Sequence, residues 1–313
     1  EAAPWCIAAA RVALVDGRYD DALAWTDEAL RARVDPVTEG GLRLLELGIH
    51  DARGDLDAAE RCGQEAWRVA PHGSMEWFRA ASALAVLAMR RLKPELFREL
   101  APALEEALRN PGTGLAAAGL ALAVPPMLVS GQYALAELVI DRLEAILASG
   151  EHPEPTFPAR VYAARAARAS FDEDFTAYVE ESRRAARVYE AADDARFALL
   201  NWGNVGYGQL CLGDIEGATS TLRWVIEQAH ARDLRRIVAH AQHNLALARL
   251  FAGNVEEAHA LVTEALATAV ALSDHQVAAG ARLYLARVLA ELAARAGARE
   301  AARQALAGVS GAP

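Results

Sequence analysis

One lysine, Lys93, stands in 313 residues. Nearly all positive charge is therefore arginine, and alanine recurs throughout. We read that pairing as the codon usage of a GC-rich bacterial genome and not as arginine chemistry. A Walker-type phosphate loop needs a lysine behind its glycines, and Lys93 sits in Arg91-Leu-Lys-Pro94, so ATP binding of that kind is excluded. Cysteine is scarce as well. Cys6, Cys62 and Cys211 are too few and too far apart for a disulfide framework or a zinc knuckle, and reduced thiols in a cytoplasmic protein are expected. Basic residues are in deficit, 32 against 42 acidic ones, for a net charge of −10. That balance argues against direct nucleic-acid or anionic-membrane binding, which take a basic footprint. No apolar run reaches the ~18 residues of a membrane span. Leu115 to Val129 comes nearest, and Pro125 and Pro126 interrupt it. Strand signals are nearly missing too: there is no Asn-Gly, and the one Asp-Gly, Asp16-Gly17, falls in a helix–helix turn pattern. The expected fold class is all-α. The chain opens at Glu1 without Met or an export leader and ends at Gly311-Ala-Pro313, so a piece excised from a larger multidomain protein is expected.

What the sequence does contain is a repeat. A glycine followed five residues later by alanine recurs at Gly17/Ala22, Gly54/Ala59, Gly131/Ala136, Gly213/Ala218 and Gly253/Ala258, with a weaker copy at Gly297/Ala302. The glycines are 37, 77, 82, 40 and 44 residues apart. Each long gap is close to twice 40 and predicts one degenerate copy, near Arg91–Leu96 and near Ser170–Phe175. Glycine supplies a left-handed helix exit, and the small alanine lets the next helix approach closely. Segments such as Ala22–Leu30 and Ala258–Leu266 then carry apolar residues at i, i+3, i+4 and i+7. A period in this range is the mark of a helical solenoid.

Several residues carry a resemblance. Trp202-Gly-Asn204-Val-Gly206 with Gly213–Ala218, and His243-Asn244-Leu-Ala246 with Gly253–Ala258 and Ala265, are similar to the first helix and turn of the tetratricopeptide-repeat family. Tyr19, Ala22 and Ala29, and Ala59, Ala66 and Pro71, fit the same pattern. The chain resembles the long-repeat bacterial form, as in maltose-activator-like regulators and beside serine/threonine kinases or signalling ATPases. The resemblance implies a right-handed superhelix of about eight antiparallel helix pairs, one solenoid over residues 1–313 with a softer break near 148–158. Pro125 and Pro126 are expected to kink the first helix of the fourth unit.

Candidate chemistry is sparse. Gly203, Gly206 and Gly208 imitate a phosphate-cradling loop, but they lie within a repeat's first helix, where small residues permit close packing. His240 and His243, three apart, can share a face as zinc ligands do, yet no convincing third ligand accompanies them. Asp172–Asp174 and Asp193-Asp194 sit where helices should begin and read as partners of the helix dipole. Arg183, Arg184 and Arg187, and Arg232, Arg235 and Arg236, read as solvated faces. No catalytic residue, metal site or cofactor is expected.

By the family's pattern the inward face of the sixth unit includes Asn204 and Tyr207, and that of the seventh His240, His243, Asn244 and Leu247. A groove asparagine can hold an extended peptide by paired amide bonds. The expected function is a non-catalytic interaction or sensor module of a bacterial signalling protein, binding a peptide or protein segment and acting on an attached kinase or ATPase effector domain. A small-molecule inducer-sensing domain of a maltose-activator-like regulator is the second reading.

Overall fold

The computed structural model describes residues 3–15, 18–151 and 154–310, and among them every regular element is a helix. The Gly17 turn, residues 152 and 153 of the expected break, and Gly311–Pro313 lie outside the described residues. The chain divides into two compact units, Glu1–Asp194 and Ala195–Pro313. The loop over 148–158 lies within the first.

The first unit contains α1 (Ala3–Val15), α2 (Tyr19–Arg31), α3 (Pro36–Arg53), α4 (Leu56–Val69), α5 (Met75–Arg91) and α6 (Pro94–Arg109). A 3-10 segment, Pro111–Ala123, then runs into α7 (Val124–Val129), followed by α8 (Tyr133–Ser149), α9 (Phe157–Phe171) and α10 (Phe175–Ala191). The second unit contains α11 (Ala195–Cys211), α12 (Ile215–His230), α13 (Arg235–Phe251), α14 (Val255–Ala271) and α15 (His275–Ser310). Consecutive helices pack as hairpins, and each hairpin packs on the next within its unit.

The hairpin turns obey one rule. A single residue takes a left-handed conformation at Gly54 (φ 82°), Leu92 (54°), Gly131 (77°), Glu173 (59°), Gly213 (81°) and Gly253 (81°). Both degenerate copies are therefore present, with Leu92 and Glu173 standing where the other repeats place glycine. The residue after each donates its N–H to the carbonyl five positions back, at 2.8–2.9 Å, as in Asp55 to His50 and Asp174 to Ala169. Asp55, Asp174 and Asp214 then cap the following helix by accepting from the backbone N–H of Ala58, Ala177 and Gly217. The Asp172–Asp174 cluster thus supplies a cap, whereas Asp193 occupies a left-handed turn between α10 and α11.

Gly297 does not follow the rule. It lies inside α15, which runs unbroken through 36 residues, so the described helices form seven hairpins and one long terminal helix, not eight pairs. The physical reason is local. The Ala-, Leu- and Arg-rich flanks of Gly297 are strong helix formers. Their propensity outweighs the roughly 1 kcal/mol that one interior glycine costs.

The proline pair does not bend the middle of a helix as expected; it stands where the fourth first-helix segment changes from 3-10 to α. The segment is 3-10 up to Ala123 and becomes α-helical at Val124, with the prolines in the first turn of α7. Missing N–H groups there cost nothing.

Phe78, Leu84, Phe97, Leu104, Leu120, Met127, Leu143 and Phe157 form the main core of the first unit. In the second, Leu210, Leu222, Val225, Ile237 and Leu245 do the same. Gly206 is required by that packing: a Cβ there would come within 2.6 Å of Leu222.

Candidate functional site

In the second unit the first helix α13 packs against α11 on one side and α15 on the other, and α12 and α14 back them. The expected inward-facing residues fall on this first-helix layer. Asn204 and Tyr207 are half-buried on α11, and His240 is half-buried on α13. The remaining three are nearly enclosed. His243 keeps 9% of its surface, Leu247 8% and Asn244 3%, and Leu247 belongs to the core of the unit. The reason is the neighbouring α15, whose Gly280 lets the backbone close to 3.6 Å between its would-be Cβ and His243 Nε2. On the other side, Gly203 of α11 faces His240 Nδ1.

The two imidazoles meet edge to face, with centroids 5.2 Å apart, and His243 lies 5.4 Å from the Tyr284 ring. Asp274, buried at the start of α15, bonds Arg236 at 2.7 Å and caps Val277 at 3.1 Å. Burial drives the His240 pKa down to about 3, with His243 and Arg236 pushing the same way and Asp274 opposing. Burial likewise takes His243 down to about 4, against the pull of the Ala239 and His240 carbonyls and of Asp274. Both rings are therefore neutral at pH 7, each offering one donor and one acceptor. Tyr207 donates to the Cys211 thiol, and burial raises the pKa of Tyr207, Cys211 and Tyr284 alike. This face presents neutral polar and aromatic groups. Among the described residues no three His, Cys, Asp or Glu side chains converge as a metal set.

The arginine clusters divide. Arg184 pairs with Glu181 at 2.9 Å, Arg232 donates to the Gln228 carbonyl at 2.9 Å, and Arg236 is the partner of Asp274. Four residues of the same face escaped the sequence analysis: Phe251 at the end of α13, and Leu283, Tyr284 and Arg287 on α15. The signal was available. Adding the 40-residue period to His243, Asn244 and Leu247 gives Leu283, Tyr284 and Arg287, but the Gly297 turn put the last repeat out of register.

No protein-family model matches the chain, and no curated protein matches its sequence. Solved structures match its fold. A Rap protein complexed with competence and sporulation factor superposes with a TM-score of 0.58 at 15% identity, over 87% of this chain and 77% of that one. A signal-transduction ATPase with numerous domains and a tetratricopeptide-repeat sensor, from Pyrococcus horikoshii, superposes with a TM-score of 0.53 at 14% identity, over 86% of this chain and 40% of that one. The chain has the tetratricopeptide-repeat fold. Its tetratricopeptide-type hairpins account for the left-handed turns and the small residues at Ala218, Ala258 and Gly206, and no described helix is long and apolar enough to cross a membrane.

Proposed function

We propose that the chain is a non-catalytic regulatory module of a cytoplasmic bacterial signalling protein, binding a peptide or protein segment along the first-helix layer of its second unit. The observation that carries this reading is the assembly of Asn204, Tyr207, His240, His243 and Tyr284 on three successive first helices, with Asn204 and Tyr207 open enough to meet a ligand. Asn204 offers an amide to an extended backbone, the tyrosines offer apolar ring surface, and the half-buried, neutral His240 adds a hydrogen-bonding edge without charge. The two solved relatives support it, one being complexed with a factor and the other carrying a sensor of this fold. In a stacked array each repeat touches only its neighbours, so an occupied layer can alter local stacking and pass that state to an attached kinase or ATPase effector.

Selection of short random peptides displayed on phage, against the immobilised chain, tests this. Enriched peptides are expected to lose binding to an Asn204→Ala/Leu283→Ser variant whose helical melting is unchanged. Enrichment that is indifferent to both substitutions rejects the site. No enrichment, with a small molecule carried through purification, transfers the function to inducer sensing.

A further inference from the structure

The two helix layers of the second unit carry opposite charge. Across α11, α13 and residues 275–299 of α15, the first helices hold eight arginines and one glutamate. The second helices, α12 and α14, hold five glutamates and one arginine. In a chain of net charge −10 this is a segregation that overall composition does not produce.

Part of the arginine charge is answered internally. Arg236 meets Asp274 at 2.7 Å, Arg249 meets Glu257 at 2.6 Å, and Arg295 meets Glu291 at 2.9 Å. Glu291 is the sole glutamate of the first-helix layer over these residues, and Arg295 occupies it. Arg287 has no carboxylate partner among the described residues. Its guanidinium lies 4.9 Å from the centroid of the Phe251 ring, which itself is 49% exposed. One turn earlier on α15, Leu283 is 68% exposed. A guanidinium held over a ring keeps its N–H edges directed outward, a geometry suited to a planar carboxylate.

We infer that the segment bound by this layer is acidic: an extended peptide that sets a carboxylate on Arg287 and a neighbouring apolar side chain against Phe251 and Leu283. The inference rests on the peptide-binding reading above and narrows it. A phosphate polymer supplies anions too, but its repeated charge would run along a protein that is acidic overall and would leave Phe251 and Leu283 without apolar partners. A peptide of alternating acidic and apolar residues satisfies both features at once.

The test uses the full chain and three fluorescein-labelled peptides in which leucine alternates with glutamate, glutamine or lysine, read by fluorescence anisotropy at low and high salt. The glutamate peptide is expected to bind, the glutamine peptide about tenfold more weakly, and the lysine peptide not at all. Arg287→Gln should bring the glutamate peptide to the level of the glutamine one and leave the latter unchanged. Phe251→Ala should weaken both. High salt should erase the difference between them. Equal binding of the glutamate and glutamine peptides overturns the acidic preference and leaves the peptide reading standing. Binding of polyuridylate that depends on Arg287, without peptide binding, overturns both. Absence of binding by all three peptides overturns this inference, while the phage selection decides the broader reading separately.

Discussion

His240 and His243 are held uncharged because their surroundings solvate an imidazolium poorly. Folded values near 3 and 4 stand against an unfolded value of 6.5. Below pH 6.5 the unfolded chain therefore binds protons that the folded chain refuses, so the stabilisation present at neutral pH is lost as pH falls toward 4. At pH 5, about 1.5 units below the unfolded value, linkage gives a loss of up to about 2 kcal/mol for each ring. Thermal melting at pH 7 and pH 5 should show a larger fall for the wild type than for a His240→Asn/His243→Asn variant. Parallel slopes for the two proteins would contradict it. Both rings thus stay neutral throughout the physiological range.

At the scale of the element, the turns separate backbone chemistry from side-chain chemistry. Gly213 has a φ of 81° and open space where a Cβ would go, so Gly213→Ala acts through the backbone alone. A destabilisation of about 1–2 kcal/mol is expected. Glu173, at 59° in the equivalent turn, already bears that strain, and Glu173→Gly should shift the denaturation midpoint upward. Opposite shifts of the midpoint, with unchanged dependence on denaturant, would be the signature of one shared turn geometry; a loss from both substitutions would refute it. The same comparison shows why two copies could be placed from spacing alone. Their position follows from helix length, and the left-handed residue need not be glycine when the next N–H closes the turn. Spacing failed at Gly297 because one interior glycine costs less than its strongly helix-forming flanks supply.

For the whole molecule, division into two units has a measurable consequence. Both low-pKa imidazoles lie in the second. Hydrogen exchange at pH 5, corrected for intrinsic rates and set against pH 7, should show α11–α14 losing protection while α4, α5 and α10 keep theirs. Uniform loss along the chain would mean that the two units open as one. The sequence by itself determined the all-α class, the period near 40, the two hidden turns and the helices that carry Asn204, Tyr207, His240 and His243. These follow from local chemistry: glycine exits, aspartate caps and apolar residues at helical spacing act within a few residues of themselves. Only the tertiary structure decided that Asn244 and Leu247 are enclosed and that Arg287 lies over Phe251. Those outcomes depend on how closely α15 approaches α13, a distance set by residues 40 positions apart meeting across two packed helices, which no local pattern records.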